Sequence, residues 1–301
     1  QLLLVNPVHR EGFNASRLRL FNVPPMGLAY VAAVTPEDSW DVTIADENIA
    51  EVRGDHPADL VGITSLTHNI NRAYELAAAF RARGTKVVMG GIHPSMLPEE
   101  SLGYADSVVI GEAENVWGRV LADFQSGRLE RIYRGTPAEM RGLVSPRRSA
   151  LGPRSGAATM QVSRGCPLNC EFCSVTAFNG GRYRRRPVGE VLDELEGLGG
   201  RNLNFLDDNF GGLTEADLAE TKALLRGMID RGIRFRWGTQ TGVNYADDPE
   251  LLELSRKSGC TILLVGIESV NRRSIDGSAR KGRRMQGIYV PYWTFDADTK
   301  S

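Results

Sequence analysis

The sequence predicts an α/β protein in two units: an open, doubly wound parallel sheet first, then part of a parallel β/α barrel. Three observations carry that expectation. The chain has 301 residues, and roughly 150 residues per domain gives about two domains. Two series of short apolar runs alternate with helical patterns, one before and one after an irregular stretch at 126–158. The runs are rich in β-branched residues and do not alternate with polar ones, as expected of strands covered on both faces.

In the first series, Leu2-Leu-Leu-Val5 opens as a strand and a helix is expected from about Met26 to Val34. Strands follow at Asp41-Val-Thr-Ile-Ala45 and Leu60-Val-Gly-Ile-Thr64. Between 69 and 83, Ile70, Ala73, Ala77 and Phe80 fall near helical spacing, and Gly84 is a natural stop. Lys86-Val-Val-Met89 and Ser107-Val-Val-Ile110 end in glycines. Ligands of such sheets lie beyond the carboxyl ends of the strands. The loops at 64–66, 90–92 and 111–112 are therefore the candidates for binding.

Residues 126–158 contain Pro137, Pro146, Pro153 and many arginines, and read as a linker. The second series begins at Met160-Gln-Val-Ser. Next come a helix near 188–198, a strand at Asn202-Leu-Asn-Phe-Leu206, and Thr214-Glu-Ala-Asp217 as a capping box for a helix ending near Gly232. Phe235-Arg-Trp237, a helix near 249–258, Ile262-Leu-Leu-Val-Gly266 and a fifth strand near 288–290 complete the pattern, too few for a closed eightfold barrel.

Composition narrows the classes of function. A hydrophobic fraction of 42% with 24% charged residues is enough for packed cores and excludes wholesale disorder. Thirty-six Lys+Arg against 37 Asp+Glu leave a net charge of −1, so no global field draws the chain to nucleic acid or an anionic membrane. No apolar run approaches the roughly 20 residues of a membrane-spanning helix, and no leader is visible. The four cysteines are too few for a secreted scaffold, so a cytoplasmic protein is expected.

Chemistry concentrates in Ser163-Arg-Gly-Cys166-Pro-Leu-Asn-Cys170-Glu-Phe-Cys173. Three thiolates at this spacing, on a loop just after a strand, can reach one inorganic cluster. A cubane 4Fe–4S cluster ordinarily takes four cysteines, so three local ones leave one iron open to a ligand. The alternative is a structural zinc knuckle. That needs a fourth ligand, and all four histidines (His9, His56, His68, His93) lie in the first unit. Cys260, just before an apolar run, reads as a buried small residue.

The Cys-x3-Cys-x-aromatic-Cys pattern, with Phe172 in the aromatic slot, resembles the radical S-adenosylmethionine (SAM) superfamily. The resemblance implies that Cys166, Cys170 and Cys173 hold a 4Fe–4S cluster whose fourth iron chelates SAM. One electron then cleaves SAM to methionine and a 5′-deoxyadenosyl radical; a small one-electron donor such as flavodoxin or ferredoxin is implied. Asp207, Asp208 and Asn209 stand where the family places a Gly-Gly-Glu-like contact to the SAM amino group. Gln240 on the third strand and Glu268 and Ser269 after the fourth are further expected SAM contacts.

Pro24-Pro-Met-Gly-Leu28, Gly62-Ile-Thr-Ser-Leu66, Gly90-Gly-Ile-His-Pro94 and Gly111-Glu-Ala-Glu114 resemble the Rossmann-like cobalamin-binding domain that precedes many radical SAM cores. Thr64, Ser65, Leu66, Gly90, Gly91, Gly111 and Glu112 are the implied cobalamin contacts, since small residues let backbone approach a corrin. A familiar cobalamin signature, Asp-x-His-x-x-Gly, has no match in Asp46-Glu-Asn-Ile-Ala-Glu51, so a corrin without an axial histidine is expected. His93, beside Pro94 in a Gly-rich loop, reads as a loop contact to the corrin or as packing.

Gly181-Arg-Tyr-Arg-Arg-Arg-Pro187 invites a nucleic-acid reading. With balanced charge and no second basic patch, a structural or SAM-carboxylate role fits better. A methylthiotransferase acting on tRNA would need cysteines in the first unit, and none precedes Cys166. The expected layout is 1–125 cobalamin-binding-like, 126–158 linker, 159–280 radical SAM core and 281–301 divergent tail, with a barrel truncated at its C-terminal end. The expected function is a cobalamin-dependent radical SAM methyltransferase acting on an unactivated carbon of a small molecule. The alternatives are a radical cyclase or rearrangement enzyme without net methyl transfer, or an inactive cofactor-binding remnant.

Overall fold

The computed structural model describes residues 1–8, 23–152, 157–168, 170 and 172–266. The expected fifth strand near 288–290, together with Glu268 and Ser269, lies outside the described residues. The chain divides into two compact units, one of residues 1–138 and 144–155, the other of 139–143 and 156–301.

The first unit contains β1 (Leu2–Asn6), α1 (Met26–Ala33), β2 (Val42–Asp46), β3 (Leu60–Thr64) and α2 (Ile70–Ala82). It continues with β4 (Lys86–Gly90), α3 (Ile92–Met96), α4 (Pro98–Ser101), β5 (Ser107–Ile110), α5 (Trp117–Gln125) and β6 (Ile132–Arg134). All six strands form one parallel sheet in the order β2-β1-β3-β4-β5-β6. Helix α2 buries Ala73, Leu76, Ala77 and Phe80 against Leu3, Val5, Val61, Ile63 and Val87 on one face. On the other, Trp117 of α5 lies near Leu4 and Gly62 and donates from its indole Nε1 to Thr35 Oγ1 at 2.9 Å.

Strand β6 lies within the stretch expected to be a linker. Most of 126–158 is thus part of the first unit, because residues 132–134 complete the sheet's hydrogen bonding beside β5. The short helices α3 and α4 were not legible either: Gly and Pro interrupt the apolar period there.

The second unit contains β7 (Ala158–Met160), β8 (Ser163–Arg164), α6 (Ser174–Asn179), β9 (Arg184–Arg185) and α7 (Val188–Glu196). It continues with β10 (Asn202–Phe205), α8 (Glu215–Asp230), β11 (Arg236–Thr241), α9 (Pro249–Ser258) and β12 (Cys260–Val265). Four parallel strands run β12-β11-β10-β7, the sequential order of an opened barrel, and β8 and β9 form a separate antiparallel pair. The capping box is as expected: Asp217 N donates to Thr214 Oγ1 at 3.1 Å, and Asp217 Oδ2 accepts from Thr214 N at 2.9 Å.

One face of this sheet packs Met160, Leu203, Phe205 and Trp237 against apolar residues of α7, α8 and α9. Phe205, Phe210 and Trp237 form an aromatic triangle with centroids 4.7 to 5.5 Å apart. Trp237 is fully buried, and its indole Nε1 donates to Ser258 O at 3.2 Å. Replacing Trp237 by Ala removes that packing and leaves the carbonyl short of a donor. Denaturant unfolding of the second unit is expected to show a loss of about 3–5 kcal/mol; an unchanged midpoint would contradict this account of the core.

Candidate functional site

The cysteine loop is bounded by its own small sheet. Ser163 pairs with Arg185 and Arg164 with Arg184, so residues 165–183 form a closed loop standing on a two-strand base. Gly165 has φ +86°, and a Cβ there would come within 2.4 Å of Arg182 O. The chain turns so tightly at the loop's entrance that a side chain does not fit.

Asp208, just beyond β10, ties this loop down. Its Oδ2 accepts from Gly165 N and from Asn179 Nδ2, both at 2.9 Å, so one carboxylate holds the start of the loop and the end of α6. Burial raises its pKa, opposed by these donors and by Arg164 and Arg184. Asp207 is entirely buried and accepts from Val162 N at 3.3 Å and from the Ser163 hydroxyl. Burial pushes it up to about 6, against the pull of Ser163 and Arg185. Asn209 is buried too; its Oδ1 accepts from Thr241 Oγ1 (3.2 Å) and Gly242 N (3.1 Å), joining the ends of β10 and β11. Of these three residues expected as SAM contacts, Asp207 and Asp208 bond the base and start of the cysteine loop, and Asn209 bonds the end of β11.

Cys166, Cys170 and Cys173 are partly exposed and not joined in disulfides. Cys173 N donates to Cys170 O at 3.0 Å, and Thr176 Oγ1 donates to Cys166 O at 3.3 Å. Burial raises the Cys166 pKa, Asp208 and Cys173 raise it further, and Asn209 beside it acts the other way. Among the described residues, no three His, Cys, Asp or Glu side chains stand at metal-binding spacing. The loop thus carries the three thiols without holding them at metal-binding spacing. As a donor set the trio fits an iron–sulfur cluster: three soft ligands whose ionised forms repel one another and an adjacent carboxylate need a cationic centre. Cys260, by contrast, is buried with its thiol pushed up to about 12, and is inert packing.

The sheet face opposite the helices carries a different set. Strand parity puts Trp237, Thr239 and Thr241 on the helix side and Gly238 and exposed Gln240 on the other. In register beside Gly238 lie Asn204 and Ile262, and beside Gln240 lies Leu264. Gln240 is thus the expected SAM residue that the structure leaves on an open surface. Asn204 was missed by sequence reading, though a polar residue between buried Leu203 and Phe205 marks it.

The arginine run is absorbed by the fold. Arg186 is buried against Glu194 of α7 at 2.6 Å, Arg185 Nη1 donates to Thr221 Oγ1 at 2.8 Å, and Arg184 Nη2 donates to Asn179 O at 3.3 Å. Three of its four arginines are thereby engaged within the protein rather than offered to phosphates.

In the first unit, the order in which strands are added reverses between β1 and β3, so the crevice of a doubly wound sheet falls at their carboxyl ends. Asp46-Glu-Asn-Ile-Ala-Glu51, the segment set against the histidine signature, follows edge strand β2 instead. At the switch point, Asn69 Nδ2 donates to Pro7 O and its Oδ1 accepts from Leu66 N, both at 2.9 Å. Glu47 is held by Arg72 at 2.6 Å and accepts from Val8 N at 3.1 Å.

The expected cobalamin residues 64–66, 90–91 and 111 converge at this edge. Gly91 has φ +95°, and a Cβ on it would lie 2.7 Å from Ser65 O and 2.8 Å from Thr64 Oγ1. Ser95 Oγ donates to Gly91 O (2.7 Å) and accepts from Gly111 N (3.0 Å), linking the loops after β4 and β5. The Ser65 hydroxyl is buried with no hydrogen-bond partner, and Leu66 is 41% exposed beside it. An orphaned hydroxyl, an exposed apolar side chain and bare glycine backbone fit the amide-fringed, largely apolar corrin. Glu112 points elsewhere: it is buried and accepts from Ala138 N at 2.8 Å. Sequence reading missed Asn69 and Ser95 because a bridging side chain has no local pattern.

Comparison with known proteins accords with this arrangement. Residues 18–121 match the B12 binding domain family, and residues 160–290 match the radical SAM superfamily. The chain is 30% identical over 277 residues to bacteriochlorophyllide d C-12(1)-methyltransferase of Chlorobaculum tepidum, covering 87% of this chain and 59% of that protein. The C-8(2)-methyltransferase of the same organism is also 30% identical, over 271 residues, with 83% and 59% covered. This chain thus spans less than two thirds of either relative's length. Among solved structures, the radical S-adenosylmethionine methyltransferase TsrM from Kitasatospora setae, with cobalamin and a [4Fe–4S] cluster bound, superposes with a TM-score of 0.73. That match has 19% identity and covers 96% of this chain and 64% of TsrM, so it speaks to the fold alone. With the two domains in tandem and the cysteine pattern on its closed loop, the chain belongs to the radical SAM superfamily, in the group whose core follows a B12 binding domain.

Proposed function

We propose that the chain forms the cofactor-binding part of a cobalamin-dependent radical SAM enzyme that methylates an unactivated carbon of a small molecule. The observation that carries this is the tandem of B12 binding and radical SAM domains, the second bearing three thiols on a loop that Asp208 clamps at both ends. Cys166, Cys170 and Cys173 would hold a 4Fe–4S cluster, and the carboxyl-end loops of β3, β4 and β5 would hold the corrin. When bound, these groups supply one-electron cleavage of SAM and a methyl group for transfer.

The chain's own contribution is position and shelter. Asp208 and Asp207 fix the base of the cysteine loop against β10, so the thiols hang from a rigid edge. Asn204 and Gln240 offer neutral amides on the open face of the sheet, beside Ile262 and Leu264. That face suits SAM, or a flat, largely apolar substrate with polar edges. Both 30%-identical relatives are named for methylation of a bacteriochlorophyllide, which makes a tetrapyrrole the first substrate to try. Electrons would come from a small donor protein such as flavodoxin or ferredoxin. Among the described residues no helix is long and apolar enough to cross a membrane; a cytoplasmic location is part of the proposal.

A second reading is ring closure without methyl transfer. It is favoured by a 24% match over 303 residues to the anaerobic magnesium-protoporphyrin IX monomethyl ester cyclase of Cereibacter sphaeroides. Methyl-labelled SAM separates the two in anaerobic turnover of the reconstituted chain with reductant and cobalamin. Label in the product is expected; product without label would support ring closure, and no SAM cleavage at all would defeat both.

Two variant series probe the cluster site. Cys166→Ala, Cys170→Ala and Cys173→Ala should each abolish cluster absorbance and 5′-deoxyadenosine formation, whereas Cys260→Ala should leave the cluster intact. Asp208→Ala keeps all three thiols but frees both loop ends. Iron per chain after reconstitution is expected to fall several-fold, and full iron loading would show that the clamp is dispensable.

A further inference from the structure

The short helix α3 follows directly on Gly90-Gly91 and sends its second residue, His93, back toward the β3 loop. His93 N donates to Ser65 O at 3.2 Å. Its ring, 6% exposed, sets Nδ1 at 3.2 Å from Thr67 Oγ1. One residue therefore holds the chain on both sides of Leu66, through Ser65 on one flank and Thr67 on the other. The ring is fixed in turn. Tyr74 of α2 meets it edge-on at 6.4 Å between centroids, and Nε2 lies 3.6 Å from Glu100 Oε1, which also accepts from the Tyr74 hydroxyl at 3.0 Å. At 3.6 Å the carboxylate is too far for a hydrogen bond, and Nε2 is buried without one.

We infer that His93 is a positioning residue for the corrin site, pinning the Ser65–Thr67 segment through its Nδ1–Thr67 contact so that Leu66 and the Ser65 hydroxyl stand ready at the β3 edge. The inference rests on cobalamin binding at this edge. His93 acts through Nδ1 on Thr67, while its ring packs edge-on against Tyr74. Loop order is the effect, because an unpinned loop must be ordered at the moment of binding, and that cost is subtracted from affinity.

The two ring nitrogens can be tested separately. An Asn side chain places its amide where Nδ1 stands, and a Gln amide reaches where Nε2 stands. The full chain is titrated with hydroxocobalamin under anaerobic conditions, with bound corrin read by absorbance after gel filtration. Iron content and thermal unfolding are measured on the same samples. His93→Ala is expected to weaken cobalamin binding about tenfold, the equivalent of one lost hydrogen bond, with iron content unchanged. His93→Asn should recover most of that loss and His93→Gln should not. Equal affinity for the wild-type chain and His93→Ala would overturn the inference while leaving cobalamin binding standing. Recovery by Gln instead of Asn would shift the role to Glu100 and overturn the Thr67 contact as its cause. A wild-type chain that binds no cobalamin would remove the reading on which the inference rests.

Discussion

The second unit depends on two adjacent carboxylates with different work. Asp207 is sealed in the interior and fastens β8 to the end of β10; Asp208 turns outward by one residue and fastens the cysteine loop. Successive residues leaving a strand point in opposite directions, so a pair at this position serves the core and the loop at once. A buried carboxylate without donors would be costly. Here the donors are Val162 N, Ser163 Oγ, Gly165 N and Asn179 Nδ2, all from the stretch that must be held. The desolvation of the acids and the rigidity of the loop are one interaction seen from two sides.

The first unit solves a similar problem with side chains that bridge neighbouring loops. Parallel strands bring their carboxyl ends to one edge, but the loops there are short, and glycine at 90, 91 and 111 leaves them little of their own to grip. Asn69 joins the β1 and β3 ends, His93 joins β3 to β4, and Ser95 joins β4 to β5. That edge is thereby stiffened from within by side chains that bridge its loops. Glycine supplies the close approach, and its neighbours supply the order that glycine lacks.

The two units share one architectural rule and differ in how the sheet is covered. In the first, helices lie on both faces of the sheet. In the second, helices cover a single face, and the opposite one presents Asn204, Gln240, Ile262 and Leu264 to the outside. Among the described residues no helix covers that face, and Asn204 and Gln240 stand on it at successive register positions.

Much of this was legible in the chain itself. The apolar runs at 2–5, 60–64, 86–89 and 107–110 read as buried parallel strands, and the capping box at Thr214 set the start of α8. The spacing of Cys166, Cys170 and Cys173 put three soft ligands on one loop whatever the fold around it. These are local properties, decided by side-chain period, backbone freedom and separation along the chain. The duties of Asp207, Asp208, Asn209, Glu112 and His93 were not legible, since each acts on residues 26 to 45 positions away or on a neighbouring strand end. Turn-loving acids and amides look alike in sequence whether they meet a ligand or a backbone N–H. Only the folded sheet, by bringing distant strand ends into hydrogen-bonding reach of these side chains, decided which of them bond to other parts of the chain.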